Sequence, residues 1–143
     1  MPIVLVDTGV WYAIFDTRDL VRTRDEVEQL AAQLQTMTVV VPWPTMYETL
    51  RTSFVRNRLA LQLFERQLKG PNIVFVEDAP YRDAAFELAL ESSLNRGRPL
   101  SMVDCVIRLL LDDINTSVRY LATYNIGDFV DVCRDRHIEI LGG

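Results

Sequence analysis

The sequence contains few of the residues that build disulfide networks, zinc sites or lysine-rich surfaces. Among its 143 residues are two cysteines, one histidine and a single lysine, Lys69. Cys105 and Cys133 form no C-x-x-C pair, so zinc binding is not expected, and both are predicted to be buried free thiols. The other 14 basic residues are arginines, whose planar guanidinium groups can grip a phosphate in two places.

Long apolar runs and a basic N-terminal segment are also lacking. The unbroken apolar stretches, such as Ile3–Val6 and residues 39–41, have the length of single strands, so no membrane span is expected. The first residues carry no basic region and reach an acid at Asp7, so no signal peptide is expected. Together these features predict a protein of the cytoplasm.

The overall charge is negative, with a formal value of −5. The surface as a whole therefore gives no attraction for nucleic acid, and RNA binding would need local patches of arginine. Four acids that lie where a predicted strand or loop leads into a helix account for most of this charge: Asp7, Glu48, Asp104 and Asp128. If they bound divalent metal, the rest of the surface would be close to neutral.

The alternation of predicted strands and helices indicates one α/β domain over residues 1–143, with a central, mostly parallel sheet flanked by helices. Strands are predicted at residues 3–6, 38–41, 73–76, 119–122 and 138–141. Helices are predicted from residue 8 through Phe15 and at residues 19–35, 45–55, 57–69, 80–95 and 101–113. In such sheets the ligand site lies beyond the carboxyl ends of the strands, where Asp7 and the loop after the fourth strand are expected.

Four acidic positions at this edge would form a Mg²⁺ or Mn²⁺ site if they converged, because carboxylates are hard oxygen ligands. Each position also has a structural explanation. Asp7 can cap the first helix, and Asp104 is the third helical residue after Ser101, as in a capping box. Glu48 can be a solvated helix residue, and Asp128 can serve the turn chemistry of its loop.

Three other enzyme and signalling classes share single features with the sequence. An aspartic protease also uses Asp-Thr-Gly, found here at residues 7–9, but it needs an all-β body. A phospho-acceptor receiver domain needs a lysine late in the chain, whereas Lys69 lies near its middle. A phosphatase with an Asp-x-Asp nucleophile needs an acid at residue 9, which is Gly9. The sequence favours none of these.

Taken in order, the motifs resemble those of the PIN-domain family, and specifically the VapC-type toxins of VapBC toxin–antitoxin pairs. The resemblance extends over essentially the whole chain. The matching residues are Ile3-Val4-Leu5-Val6-Asp7-Thr8, Pro44 with Glu48, Leu100-Ser101-x-x-Asp104, and Leu121-Ala122-Thr123-x-Asn125-x-x-Asp128-Phe129.

This resemblance implies a metal-dependent endoribonuclease that hydrolyses phosphodiester bonds with a carboxylate-held Mg²⁺ or Mn²⁺ ion and a water activated by it. Asp7, Glu48 and Asp104 would be the core catalytic acids. The sequence has Asn125 where many relatives have an aspartate, and Asp128 follows three residues later, so both stay candidates for the fourth position. The resemblance also implies an RNA substrate, a homodimer and a partner antitoxin.

Further roles follow from the same hypothesis. The hydroxyl groups of Thr8, Ser101 and Thr123 would orient the carboxylates. Arginines near these motifs are candidates for RNA contacts, although a solvated surface residue is the simpler explanation for each. They are Arg51, Arg56, Arg58, Arg96 and Arg98. The alternative function is a catalytically weak PIN-like module that binds RNA or protein without cutting.

Overall fold

The computed structural model of the chain describes residues 1–16, 23–50 and 53–142. Its strands are β1 (Ile3–Val6), β2 (Thr38–Pro42), β3 (Ile73–Val76), β4 (Tyr120–Ala122) and β5 (Glu139–Leu141). Its α-helices are α1 (Thr8–Phe15), α2 (Arg24–Gln35), α3 (Trp43–Thr49), α4 (Arg58–Leu68), α5 (Arg82–Asn95), α6 (Met102–Asp112) and α7 (Val130–Arg136).

The five strands form one sheet in the order β3-β2-β1-β4-β5, and every neighbouring pair is parallel. This arrangement confirms the predicted α/β class. Parallel sheets are covered by helices on both faces, which explains why β1, in the middle, is an unbroken apolar run. Val4, Leu5 and Val6 are completely buried. Since all strands point the same way, their carboxyl ends lie along one edge.

Side chains from the two faces of the sheet enter two separate cores. Val4 and Val6 of β1 pack in one core with residues of α1, α2 and α4, including Trp11 and Phe64. Leu5 points the other way, into a core formed with α5, α6 and α7. Cys105 and Cys133 lie in this second core as free, buried thiols, which confirms their prediction.

The helix predicted at residues 45–55 is shorter and begins earlier than expected. α3 starts at Trp43 and ends at Thr49, and its cap residue Leu50 donates its backbone N–H to Met46. Further along the chain, a 3₁₀ turn at Ser53–Arg56 follows. The buried hydroxyl of Thr49 donates to the carbonyl of Thr45, so this polar group finds its partner within the same short helix.

Other helix boundaries also differ from the predictions. α2 begins at Arg24, because Thr23 has an extended backbone and caps the helix by accepting from the Glu26 N–H. Residues 19–22 of the predicted helix lie outside the described residues. α5 begins at Arg82, after a 3₁₀ turn at Ala79–Tyr81. The sequence did not predict α7, which is only seven residues long and largely polar.

Within the described ranges, no helix is both long and apolar enough to cross a membrane.

The aromatic core between α1 and α4 is expected to dominate stability on its side of the sheet. Phe64 is completely buried, with its ring centroid 5.3 Å from that of Trp11. Phe64→Ala should lower the free energy of unfolding by about 3–5 kcal/mol, because it leaves a cavity. Leu59→Ala, in the same helix but 67% exposed, should cost less than about 1 kcal/mol. Urea unfolding measures both, and equal losses would contradict this account of the core.

Candidate active site

Asp7 occupies the junction between the central strand and the first helix. Its backbone N–H donates to the carbonyl of Ala122 at the end of β4, over 3.0 Å. Its side-chain Oδ1 accepts from the Thr8 N–H at 2.8 Å and so caps α1. The residue is only 5% exposed. The capping role considered from the sequence is therefore confirmed, and the carboxylate also faces the edge where strand ends meet.

The second oxygen of this carboxylate is held by Thr123. The Thr123 hydroxyl, fully buried at the end of β4, donates to Asp7 Oδ2 at 2.9 Å and accepts from the Asn125 N–H at 3.0 Å. One hydroxyl thus connects the β1 acid to the loop after β4. Thr8 contacts Asp7 through its backbone N–H, and its own buried hydroxyl has no hydrogen-bond partner among the described residues.

Asp104 approaches the site from the first turn of α6. Ser101 caps this helix by accepting from the Asp104 N–H at 3.1 Å, so the predicted capping box is present. Asp104 is half-buried. Burial raises the pKa of its carboxyl group, a hydrogen bond from Ser101 opposes the rise, and the negative charge of Asp128 adds to it.

Glu48 lies in the last turn of α3, half-buried rather than fully solvated. Its backbone carbonyl accepts from the Tyr12 hydroxyl at 3.1 Å, which fixes this turn against α1. The residue lines a cleft of about 310 Å³ together with Met102, Val103 and Val106 of α6. Glu48 therefore faces the helix that carries Asp104.

These acids are coupled through their charges. The pKa of Asp7 is raised from 3.8 to about 6. Burial is the largest cause and the negative charges of Asp104 and Glu48 add to it, while hydrogen bonds from Thr123 and Thr8 oppose the rise. A carboxylate with this environment is destabilised when ionised. A bound cation would remove that penalty, so the electrostatics favour a positive ligand beside Asp7.

The loop after β4 presents its two candidate residues differently. Asn125 is exposed, and its backbone N–H is the group that contacts Thr123. Asp128 ends the 3₁₀ turn Ile126–Asp128, and its Oδ1 forms an ion pair with Arg98 at 2.5 Å. Of the two side chains, only that of Asp128 is therefore already engaged with a charged partner.

The arginines predicted to contact RNA differ in their ion pairs and in where they lie. Arg98 reaches the loop of Asp128, whereas Arg96 pairs with Glu91 on α5 at 3.2 Å. Arg56 and Arg58 are exposed near the start of α4. Arg51 lies outside the described residues.

Arg108 of α6 is a residue that the sequence motifs did not indicate. Its guanidinium binds both carboxylate oxygens of Asp131, at 2.8 and 2.7 Å. The same guanidinium donates to the carbonyl of Asp128 at 2.7 Å. Its partners lie 20 and 23 residues away along the chain, and an arginine on an apolar helix was the only signal in the sequence.

The carboxylate oxygens of Asp7 and Asp104 are donors of the kind that a divalent ion binds. Among the described residues, no three carboxylate, imidazole or thiolate groups form a cluster that could hold a metal ion. Mg²⁺ in proteins commonly takes only one or two carboxylates and keeps several waters. Asp7 and Asp104, two coupled acids with raised pKa values, supply that number, and the unpartnered Thr8 hydroxyl lies directly beside Asp7.

The raised pKa of Asp7 has a consequence for stability that can be measured without metal. The folded protein binds this proton more tightly than the unfolded chain, so between about pH 4 and pH 6 rising pH destabilises the fold. Asp7→Asn removes this effect. At pH 7 the variant should be more stable than the wild type, by up to about 3 kcal/mol, with the difference vanishing below pH 4. Urea unfolding across pH in a chelator measures it.

Asp131 provides the control of opposite sign. Its pKa is lowered to about 2, chiefly by the hydrogen bonds from Arg108. Asp131→Asn should therefore lose stability at neutral pH, and the wild-type advantage should disappear as the pH falls toward 2. If Asp7→Asn is instead less stable than the wild type at pH 7, then burial of the Asp7 charge is not costly and the account of its pKa is wrong.

The family model for the PIN domain matches residues 4–118. That span contains Asp7, Glu48 and Asp104 and ends before the loop of Asp128. No curated protein sequence gave a significant match.

Among solved structures, the chain is similar to Mycobacterium tuberculosis VapC20, described as a sarcin–ricin-loop-cleaving toxin. The TM-score is 0.66 at 16% sequence identity, over 90% of this chain and 94% of the other. At that identity the likeness is one of fold. The family match covers most of the chain, and the chain therefore belongs to the PIN-domain family.

Proposed function

We propose that the chain is a metal-dependent endoribonuclease and the toxin of a type II toxin–antitoxin pair. The observation that carries the proposal is the coupled set of Asp7, Asp104 and Glu48 at the carboxyl edge of a PIN-domain sheet. Ionised together, these acids repel one another, and a divalent cation would relieve the repulsion. The fold shared with a VapC toxin supports the same conclusion.

Mg²⁺ or Mn²⁺ would be held by Asp7 and Asp104, with Glu48 contributing directly or through water. When bound, such an ion lowers the pKa of a water molecule and neutralises charge that develops on the phosphoryl oxygens. Asn125 and Asp128 both remain candidates for the fourth position. Asp7 caps α1 and Ser101 caps α6, so each of the two main acids lies at the start of a helix.

The chain's own groups prepare this site. The Thr123 hydroxyl and Thr8 N–H fix the two oxygens of Asp7, so its orientation is set before any ligand binds. Ser101 fixes Asp104 in the first turn of α6. Asp7 must be ionised to bind a cation, and its pKa of about 6 means that protonation would oppose activity in mildly acidic solution.

The partners proposed for the protein follow from its family. RNA is the substrate, and an antitoxin covers the acidic site when the toxin is held inactive. A homodimer and a location in the cytoplasm complete the proposal. Arg56, Arg58, Arg96 and Arg98, all exposed, are the described candidates for contacts with the RNA backbone.

A second candidate function is a PIN-like module that binds RNA or protein without cutting. Two observations favour it: the described residues contain no three-acid metal cluster, and Asp128 is engaged by Arg98. Metal binding discriminates between the candidates, because a ligand that binds the folded state raises the melting temperature. An inert module would show no rise at millimolar Mn²⁺.

Removal of either main acid tests the proposed nuclease. Asp7→Asn and Asp104→Asn should each lower the rate of RNA cleavage by at least about 100-fold and abolish the Mn²⁺-dependent rise in melting temperature. Substrates should include total RNA and a sarcin–ricin-loop hairpin, the target named for the mycobacterial protein. Asp112→Asn, about 12 Å from Asp104 at the other end of α6, is the matched control and should cleave normally. Full activity in folded Asp7→Asn would refute the assignment.

Thr123 offers a test of carboxylate orientation. Thr123→Val keeps the shape of the buried side chain but removes the hydroxyl that donates to Asp7. The Mn²⁺ concentration that raises the melting temperature should increase by about 10–100-fold, as is usual when a group that orients a ligand is lost. Thr116→Val also removes a helix-end hydroxyl bond, near Leu110 and Asp113, and should leave the Mn²⁺ response unchanged. An identical response in Thr123→Val would exclude the orienting role.

A further inference from the structure

The loop between α5 and α6 places an arginine directly on the turn after β4. Arg98 donates from Nη2 to Asp128 Oδ1 across 30 residues of sequence. The guanidinium lies so close to Gly127 that a Cβ there would be 3.0 Å from Nη2. A larger residue at position 127 would push Arg98 away, so this glycine permits the close approach.

Of the two residues in this ion pair, Asp128 is the one held in place by further hydrogen bonds. Arg108 donates to the Asp128 carbonyl and also binds Asp131, which anchors the 3₁₀ turn to α6. The Asp128 side chain is 22% exposed, whereas that of Arg98 is 63% exposed. A rigid, mostly covered carboxylate therefore holds a guanidinium that faces solvent.

The Arg98–Asp128 pair lies next to the acidic site. The loop of Arg98 leads directly into Ser101, which caps the helix that has Asp104 as its third residue. In agreement with this placement, the charge of Asp128 contributes to the raised pKa of Asp104. Arg98 consequently lies at the edge of the coupled acids, where an RNA strand entering the site would bring a phosphate. Without a cation at this edge, Asp128 would add to the repulsion that a phosphate meets.

We propose that Asp128 is a positioning residue that orients Arg98 toward an RNA backbone phosphate, instead of serving as a metal ligand. The inference rests on the proposed ribonuclease function. A guanidinium carries five N–H donors, and Arg98 gives one to Asp128 in this structure, which leaves the others for phosphate oxygens. An arginine already held in place loses less conformational freedom on binding RNA than a free one.

Removal of Asp128 tests the proposal through the sign of its effect on RNA binding. If the acid only repels phosphate, Asp128→Ala should strengthen binding. If it orients Arg98, the same change should weaken binding despite removing a negative charge. Affinity is measured with single-stranded RNA in a chelator, so that no cleavage intervenes.

Asp128→Ala and Arg98→Gln should each weaken RNA binding by about tenfold, the size expected for one charged hydrogen bond. The double variant should be no weaker than Arg98→Gln alone, because the two residues act as a unit. The slope of log affinity against log salt should fall by about 0.7 in Arg98→Gln, as for one lost phosphate contact. Asp112→Ala, which breaks the remote pair with Arg136, is the control and should not weaken binding.

Metal binding separates this role from that of a ligand. Asp128→Ala should keep the Mn²⁺-dependent rise in melting temperature that Asp104→Asn loses, and a metal-free melt shows that each variant is folded. Unchanged or tighter RNA binding by Asp128→Ala, or loss of its Mn²⁺ response, would overturn the positioning role. If the two residues are coupled in RNA binding but the wild type cleaves no RNA with any metal, the ribonuclease proposal alone fails. A wild type that binds no RNA would overturn both.

Discussion

One buried carboxylate, that of Asp7, connects the central strand to the first helix and to the loop after β4. Its backbone bonds to β4, its first oxygen caps α1, and its second oxygen takes the hydroxyl of Thr123. The carboxyl edge of the sheet is therefore organised around a charge that is 5% exposed. Burial of that charge destabilises the fold, and neutral donors only partly compensate. Such strain is common where a protein keeps a group ready for a ligand.

The neighbours of Asp7 come from elements far apart in sequence. Asp104 begins α6 and Glu48 ends α3, yet both raise the pKa of Asp7 through their charges. The parallel order of the sheet produces this meeting, because β1 lies between β2, which leads into α3, and β4, which follows α6. The two apolar cores on either side of the sheet hold these elements in place, so packing stabilises an arrangement that electrostatics alone opposes.

Local patterns in the sequence were enough to predict much of the fold and part of the site. Continuous apolar runs located the strands, and Ser101 followed by Asp104 located the start of α6. Helix ends were less predictable, since α3 ends at Thr49 and no glycine, proline or break in apolar periodicity marks that position. The contacts of Arg108 join residues 20 and 23 positions apart and depend on where α7 packs. No local pattern encodes such a pairing.

The carboxylates at this edge are of two kinds, which differ in whether a positively charged side chain is bonded to them. Within the part of the chain that the structure describes, Asp7 is held by two neutral donors and pairs with no cation, so its charge is available to a positive ligand. Asp128 and Asp131 each bind an arginine, so their charges are already balanced. The edge therefore has an acidic end near β1 and an end near α7 where the charges are balanced. The exposed guanidinium of Arg98 lies at the balanced end. A phosphodiester crossing this edge would meet repulsion at one end, which a metal ion would reverse, and a ready positive donor at the other. If RNA is the substrate, as proposed, that asymmetry would give the strand a preferred position. The asymmetry comes from the arginines that pair with Asp128 and Asp131 and not from the number of acids.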